Sequence, residues 1–435
     1  MNPIVVGIVG TIAFFVLLIL RMPVAYAMAI VGFAGFSCLS SPEKAFRIVS
    51  QDFYSTFSSY SLTVAPTFIL MGFIAFYSGI GMGLFNLANK FVGHLRGGLA
   101  LAVQMACALF GTVCGSLPAT VATMGSIALP EMKKYKYADS LSTACIAAGA
   151  SLGSLIPPSV LFIVYGIATE QSIGRLFMAG ILPGIMHMCI YMITILLLTT
   201  KNPSLAPVVP KASWEERLAA FRGGILEAGI VFLLSLGGLF LGWFTPTEAG
   251  AVGAFSIFVI TFLEKKMDYA KLKQALGNTT KLTAMIFLLV AGATVFGRFY
   301  AITRIPFELS SWATILDLPP FLIMGMVILI YLVLGMIIDA LPLILLTIPI
   351  FYPLVTDTLG YDPIWFGVII LLITSMAVMT PPVGVNVYIV KGVAKDVPLE
   401  AIFKGVWPFV LADLAAIALL IAFPKIATFL PDLLF

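Results

Sequence analysis

Four short stretches rich in glycine, proline and small polar residues interrupt apolar sequence in this chain of 435 residues. They are residues 111–120, 153–159, 335–342 and 380–386. Proline removes a backbone donor and frees a carbonyl one turn earlier, whereas glycine permits a sharp reversal of the chain. Opposed helix ends then present carbonyl oxygens, which suit a hard cation, and helix N-termini, which suit an anion. The breaks therefore predict ion-binding backbone between helices; the alternative is that they only shape packing.

The breaks recur at a fixed distance along the chain. Two landmarks return 224 residues later: Leu117 and Pro118 as Leu341 and Pro342, and the pair Pro157 and Pro158 as Pro381 and Pro382. Duplicated units with paired breaks are typical of the binding site of a secondary transporter. We expect the first break of each unit to face the second, 111–118 against 153–158 and 335–342 against 377–382. This predicts two cation sites on either side of a central substrate site.

The composition places the chain in a membrane. Hydrophobic residues make up 61% of it and charged residues 10%, and its mean hydropathy is +1.09. We predict an all-α polytopic membrane protein, an inverted repeat with about ten transmembrane helices and two re-entrant helical hairpins, 99–130 and 320–353. The expected spans are 4–20, 23–40, 62–85, 140–165, 174–200, 224–243, 246–263, 281–302, 364–390 and 406–423.

Basic residues sort to one side if each hairpin enters and leaves on the same side. Eighteen of the 24 Lys and Arg, Lys281 among them, then share the side that the positive-inside rule makes cytoplasmic, and both termini face outward. The two units are then inverted relative to each other. The predicted divisions are an N-terminal transmembrane helix 1–20, a first repeat 21–200, an amphipathic connector and linking helix 201–243, a second repeat 244–423 and a tail 424–435.

The connector carries its own helix signal. Ser213 followed by Glu216 fits a capping box. The apolar Trp214, Leu218 and Phe221 then alternate with Glu215, Arg217 and Arg222, which predicts a short amphipathic helix at the cytoplasmic interface.

Several functional classes find little support. The five cysteines show no C-x-x-C spacing, two histidines are too few for a histidine metal cluster, and no Walker motif is present. Residues 149–153 satisfy the hydrolase pattern G-x-S-x-G, but they lie in a predicted span, and the only candidate bases, His94 and His187, are expected near the cytoplasmic surface. An intramembrane hydrolase is therefore a distant alternative, and a channel lacks any recurring charged ring.

Three runs carry a family resemblance: G-S-L-I-P-P-S from Gly153, M-T-P-P-V-G-V-N from Met379 and T-P-T-E-A-G-A from Thr245. Together they resemble the large membrane (permease) subunit of tripartite ATP-independent periplasmic (TRAP) transporters, over essentially the whole chain. The resemblance implies an elevator-type, sodium-coupled importer of organic acids in a bacterial inner membrane, and no enzyme. It also implies two partners, a small four-helix membrane subunit and a periplasmic substrate-binding protein, and Na⁺ as the coupling ion at two sites.

The resemblance also implies the sodium ligands. They comprise Gly111, Cys114, Gly153, Ile156 and Pro158 at the first site, and Gly335, Ile338, Ala377, Thr380 and Pro382 at the second. The family often has serines where this chain has Gly111 and Cys114. Carbonyl ligation would survive that change and a hydroxyl ligand would not. At the second site, Thr380 has a hydroxyl to offer.

Five residues are candidates for the substrate: Ser116, Thr120, Arg298, Asp339 and Asn386. Asp339 at the second hairpin tip is a charge at membrane depth, and it caps a half-helix, bonds a substrate hydroxyl or strengthens cation binding. Arg298 either binds a carboxylate bidentately or extends to the lipid headgroups. Glu248 is explained more simply by a helix cap on Thr245, with Pro246 at the first helical position.

The sequence thus predicts sodium-coupled import of an organic acid anion, and leaves C4-dicarboxylates and sialic acid open as substrates. The runner-up is a stand-alone ion-coupled carrier of the dicarboxylate or citrate type. The run from Thr245 to Ala251 and the requirement for a small subunit distinguish the two.

Overall fold

The computed structural model describes residues 2–221, 223–316 and 318–434, and their regular structure is helical. Arg222, which the sequence places on the connector, lies outside the described residues. The helices are α1 Pro3–Ile19, α2 Val24–Leu39, α3 Pro42–Phe57, α4 Val64–Ser78, α5 Ile80–Val92, α6 Gly98–Cys114, α7 Leu117–Lys134, α8 Asp139–Leu155, α9 Val160–Thr169, α10 Ile173–Lys201, α11 Trp214–Ala220, α12 Ile225–Phe240, α13 Pro246–Leu263, α14 Tyr269–Thr303, α15 Ile305–Ile315, α16 Pro320–Gly335, α17 Ala340–Thr358, α18 Pro363–Ala377, α19 Val385–Val393, α20 Leu399–Ala422 and α21 Lys425–Leu434.

The prediction of an all-α polytopic membrane protein is confirmed. Among the described residues, six helices are long and apolar enough to cross a membrane, or up to eight if each bent pair forms one span. Every predicted span coincides with a helix or a helix pair. The count of ten spans, the side of each terminus and the inversion of the repeats stay predictions.

Three boundaries differ from the sequence prediction. The expected span 62–85 is two helices, because Gly79 adopts the left-handed conformation, with φ of 78°, between α4 and α5. Helix α14 begins at Tyr269, twelve residues before the expected span, so the polar link is largely helical. Helix α3, from Pro42 to Phe57, was not predicted; it is amphipathic and capped by Ser41.

Both predicted hairpins are present as pairs of packed helices. In the first, α6 ends at Cys114, Gly115 turns the chain with φ of 59°, and α7 starts with Leu117 and Pro118. In the second, α16 ends at Gly335 and α17 starts at Ala340, with Asp339 as its N-cap. Glycine and proline thus end one leg and start the next, as their backbone chemistry requires.

Two helix pairs carry the matching breaks. Helix α8 ends at Leu155 and α9 begins at Val160, with a bend of 43° between them. Helix α18 ends at Ala377 and α19 begins at Val385 after a non-helical link. The two pairs touch each other through the hydroxyls of Ser154 and Ser375, which lie 2.7 Å apart.

The helices form two packed groups. The hairpins, the broken pairs, α10, α20 and α21 make one group, which we call the hairpin group, and α1–α5 with α11–α15 make the other, the frame group. Small residues let the frame helices approach closely, because a Cβ on Gly292 of α14 would lie 2.5 Å from the Ala25 carbonyl oxygen of α2. The site described next lies where the two groups meet.

The connector helix α11 has the predicted capping box. Ser213 Oγ accepts the Glu216 N–H at 3.2 Å, and a Glu216 carboxylate oxygen accepts the Ser213 N–H at 3.1 Å. The Lys90 ammonium lies 3.3 Å from the same carboxylate, and its hydrogen bond, followed by that from Ser213, lowers the pKa of Glu216. Trp214 and Leu218 are exposed, as an interfacial helix requires.

Candidate functional site

A cavity of about 530 Å³ lies between the two helix groups, within the range typical of small-molecule sites. Both hairpin tips reach it, through Ser116 and its neighbours on one side and Asp339 to Leu341 on the other. The broken pairs contribute Ser154 and Asn386. The frame group closes it with aromatic residues of α4 and with one face of α14. The cavity is thus the meeting point of all four breaks that the sequence singled out.

The first hairpin tip packs on the first broken pair without room for a side chain. A Cβ on Gly111 would lie 2.8 Å from the Gly153 Cα. A Cβ on Gly115 would lie 2.3 Å from the Pro158 carbonyl oxygen. Glycine is therefore required at both tip positions, and the backbone of the tip faces the backbone of the break. This is the opposition of elements expected for the first unit.

The second tip repeats this contact at the same spacing. A Cβ on Gly335 would lie 2.5 Å from the Ala377 Cβ. Gly335 and Ala377 follow Gly111 and Gly153 by 224 residues each, so equivalent positions in the two units make equivalent contacts. The second unit therefore also opposes its hairpin tip to its own break.

The donor set at the two tips suits a hard cation. Around each contact the groups available are backbone carbonyls, with the Thr380 hydroxyl at the second tip, and the glycine contacts leave space that a Cβ would fill. Thr380 is buried and its hydroxyl donates to the Met376 carbonyl at 2.7 Å, which leaves lone pairs on Oγ1. The Ala377 carbonyl accepts the Thr380 N–H at 3.0 Å and keeps a second lone pair.

The remaining sodium candidates differ in their surroundings. Cys114 is buried, and its carbonyl oxygen lies against α4, where a Cβ on Gly72 would come within 2.4 Å of it. Pro158 is buried, whereas the equivalent Pro382 is exposed. Ile156 is partly buried and Ile338 is buried. Both groups of candidates thus lie at the tip contacts, while the metal ions themselves stay a prediction.

Three of the five substrate candidates share the cavity wall: Ser116, Asp339 and Asn386. Ser116 precedes α7 without using its hydroxyl as a cap. Asp339 accepts the Ala340 N–H at 2.8 Å, so it caps α17 and still offers a carboxylate oxygen to the cavity. Asn386 donates to the Ala147 carbonyl at 3.3 Å, which fixes its amide against α8.

The other two candidates lie elsewhere. Thr120 is buried behind the tip, where its hydroxyl donates to the Ser116 carbonyl at 2.9 Å and faces Gly153. Arg298 is outside the cavity wall, and its Nε donates to both carboxylate oxygens of Asp52, at 2.6 and 2.8 Å. Asp52 is 1% exposed, so this pair has a local structural role.

Lys281 is the cavity cation that the sequence reading assigned to surface charge. It lies on the face of α14 that lines the cavity, together with Asn278, Leu282 and Met285. These positions share one helical face by their spacing. Asn278 donates its amide hydrogen to the Tyr77 hydroxyl at 2.6 Å. Asn278 near the start of the apolar run was the available signal, since it places Lys281 one turn further along the same face.

A second charged cluster was also missed. His187 Nε2 and the Tyr191 hydroxyl each lie 2.6 Å from Asp413 Oδ1, and all three residues are buried. The expectation that His187 lies near the cytoplasmic surface was therefore wrong, because its partner on α20 holds it in the interior. Asp413 is an acid inside a predicted span, a signal that sequence reasoning could have used.

This cluster does not assemble a hydrolase. Ser151, the serine of the G-x-S-x-G match, donates to the Ala148 carbonyl at 2.6 Å and contacts the Tyr191 hydroxyl at 3.2 Å. It lies within helix α8 rather than on a strand-to-helix elbow. The match reflects helix packing. Thr245 and Glu248 likewise form the predicted capping box, with the Thr245 N–H 2.8 Å from the carboxylate.

Comparisons with known proteins agree with this architecture. A family model described as "Tripartite ATP-independent periplasmic transporter, DctM component" matches residues 11–426. The chain is 34% identical to the C4-dicarboxylate TRAP transporter large permease protein DctM of Pseudomonas aeruginosa, over 91% of each chain. It is 31% identical to the sialic acid TRAP transporter large permease protein SiaM of Vibrio cholerae, over 96% of each.

Two further comparisons extend the picture. The ectoine TRAP transporter large permease protein TeaC of Halomonas elongata is 33% identical over 96% of this chain and 97% of that one. The Alcanivorax borkumensis YdaH transporter has a similar fold, with a TM-score of 0.61 over 89% of this chain and 90% of that chain, at 15% identity. Because the family model and the relatives span nearly the whole chain, it belongs to the tripartite ATP-independent periplasmic transporters as a DctM-type large permease subunit, a transporter of organic acids rather than an enzyme.

Proposed function

We propose that this permease imports an organic acid anion together with sodium, by sliding the hairpin group along the frame group. The observation that carries the proposal is the single cavity whose wall combines both hairpin tips with residues of the frame. A substrate there contacts both groups, so relative movement of the groups would change its access to either side. We further propose the bacterial inner membrane as its location, with both termini periplasmic.

The sodium ions would be held by the two tip contacts. Gly111, Cys114, Gly153, Ile156 and Pro158 form the first set, and Gly335, Ile338, Ala377, Thr380 and Pro382 form the second. When bound, sodium supplies positive charge beside the substrate cavity and links its occupancy to the sodium gradient. The residues themselves supply oxygen ligands and a fit that closes only when each tip lies against its break.

Polar residues at the tips and breaks would hold the substrate. Ser116 presents its hydroxyl, Asn386 presents its amide oxygen, and Asp339 presents a carboxylate oxygen. Phe73 and Phe76 of the frame exclude water from the apolar part of the same wall. The substrate class is a C4-dicarboxylate or a sialic acid, since relatives of similar identity are named for each.

The close fit between the groups supports sliding rather than a fixed interface. Gly72 of α4 lies against the Cys114 carbonyl of the first tip with no room for a methyl group. A smooth backbone-to-backbone contact offers few side chains that must separate when one group moves. The proposal further includes two partners, the small four-helix membrane subunit and a periplasmic binding protein that delivers the substrate.

Uptake into proteoliposomes tests the proposal. The chain and its small subunit are reconstituted, and uptake of labelled succinate and N-acetylneuraminate is measured with and without binding protein, under an inward sodium or potassium gradient. Uptake that needs both sodium and the binding protein is the expected result. Sodium-driven uptake without the binding protein would instead identify a stand-alone carrier, and equal uptake in potassium would refute sodium coupling.

A further inference from the structure

The two charged side chains in the described wall of the cavity lie on different helix groups and have opposite signs. Lys281 belongs to α14 of the frame, and Asp339 belongs to the tip of the second hairpin. They make no ion pair with each other. Each charge therefore faces the cavity without the other as its partner.

The lysine end of the cavity suits a carboxylate. Lys281 is exposed to the cavity and offers three donors, and within the described chain its ammonium makes no ion pair or hydrogen bond. Tyr77 receives its hydrogen bond from Asn278, so its hydroxyl hydrogen remains available to a ligand. This end thus presents a positive charge and a hydroxyl donor beside each other on the frame.

The aspartate end suits a donor and disfavours a second carboxylate. One oxygen of Asp339 accepts the Ala340 N–H, and the carboxylate has no cationic partner among the described residues. An ionised carboxylate only accepts hydrogen bonds. A ligand carboxylate at this end would meet a like charge without a donor, which is the repulsion by which a site rejects the wrong partner.

We propose that the substrate carries one carboxylate, bound by Lys281, and at its other end a hydroxyl or cationic N–H donor, bound by Asp339. This selects hydroxylated monocarboxylates or zwitterions over C4-dicarboxylates. The inference rests on the proposed function and narrows its substrate class. Lys281 is the specificity-determining cation, and Arg298 is not, because Asp52 already occupies its guanidinium.

Titration calorimetry on the purified full chain in lipid nanodiscs, in sodium buffer, tests the selection. The ligands are three monocarboxylates (N-acetylneuraminate, 2,3-diketo-L-gulonate and ectoine) and three dicarboxylates (succinate, fumarate and malate). The best monocarboxylate is expected to bind at least tenfold more tightly than the best dicarboxylate. A dicarboxylate that binds as tightly as the best monocarboxylate, or no binding of any of the six ligands, overturns the proposal.

Three variants assign the two ends. Lys281→Gln should weaken the best monocarboxylate at least tenfold and Lys281→Arg should largely restore it, whereas Lys273→Gln, on an exposed part of the same helix, should change nothing. Asp339→Asn keeps a helix-capping oxygen but removes the like charge, so the preference over dicarboxylates should fall at least threefold. An unchanged preference in Asp339→Asn, or unchanged affinity in Lys281→Gln, overturns the assignment.

Failure here is distinguishable from failure of the proposed function. If succinate binds best and its uptake still requires sodium and the binding protein, the transporter function stands and the selection by Lys281 and Asp339 falls. If a monocarboxylate binds best but its uptake ignores sodium, the selection stands and sodium coupling falls.

Discussion

The contact between Gly335 and Ala377 gives the sharpest prediction for the second tip. A methyl group on Gly335 would place its Cβ 2.5 Å from the Ala377 Cβ. Carbon atoms pack at about 3.5 Å or more, so the overlap is about 1 Å. The second hairpin tip must then move away from its break, which separates the oxygen ligands proposed for the second sodium ion.

The size of the effect follows from the cost of overpacking. Forcing an extra methyl group into a packed contact costs about 1–3 kcal/mol. If the seated tip bears this strain, the sodium concentration that half-saturates uptake should rise by roughly 5–150-fold. The assay is uptake of the best substrate into proteoliposomes as a function of external sodium, with the same amount of each variant reconstituted.

The structure also predicts the rescue. In Gly335→Ala combined with Ala377→Gly, the new methyl group faces the Ala377 Cα position at 4.0 Å, and the Leu343 Cδ2 at 3.1 Å belongs to a side chain that can shift. The double variant should therefore recover most of the sodium affinity. Gly325→Ala on the same hairpin, where a Cβ meets nothing within 4 Å, is the matched control and should behave as wild type.

Two results would refute this reasoning. The first is a sodium requirement for Gly335→Ala within twofold of wild type, which would show that the tip contact does not shape the site. The second is a double variant as impaired as the single one, which would show that the loss has another cause than the methyl overlap.

Three further predictions follow from other contacts. Gly72→Val should slow uptake at least tenfold at saturating sodium with little change in thermal stability, because its side chain displaces the Cys114 carbonyl; wild-type rates would contradict a close sliding contact. Arg298→Ala should lower the thermal unfolding temperature, since it leaves Asp52 buried and unpaired. Arg298→Ala combined with Asp52→Ala should regain much of that loss, and no regain would contradict the local role. The lowered pKa of Glu216 makes its contribution to the connector helix present above the ordinary carboxyl range and lost as pH falls through the lowered value, so amide exchange in this helix should speed up only at acidic pH; exchange that is indifferent to acid would contradict the capping role.

The positions of the breaks were predictable because glycine and proline act locally. Gly115 and Pro118 turn the first hairpin where the sequence placed a tip, and the spacing of 224 residues correctly paired each tip with its break. The capping box at Ser213 was predictable for the same reason, since its two partners are three residues apart.

The charged residues were harder to place, because their partners are distant in sequence. Arg298 is neutralised by Asp52, 246 residues away, and His187 by Asp413, 226 residues away. Neither pairing has a local signature. Lys281 was assigned by the positive-inside rule to the cytoplasmic surface, but helix α14 begins twelve residues earlier than expected and carries it along the cavity wall. A charge rule averages over many residues and cannot identify one that serves a site.

The central claim is that the two tip contacts are equivalent sodium sites beside one substrate cavity. Equilibrium binding of radioactive sodium to the purified full chain, with potassium as competitor, tests it most directly. The account predicts two sodium ions per chain, no displacement by equimolar potassium, and the loss of one ion in each of Gly111→Ala and Gly335→Ala. Absence of saturable sodium binding, or two ions retained in both variants, would contradict it.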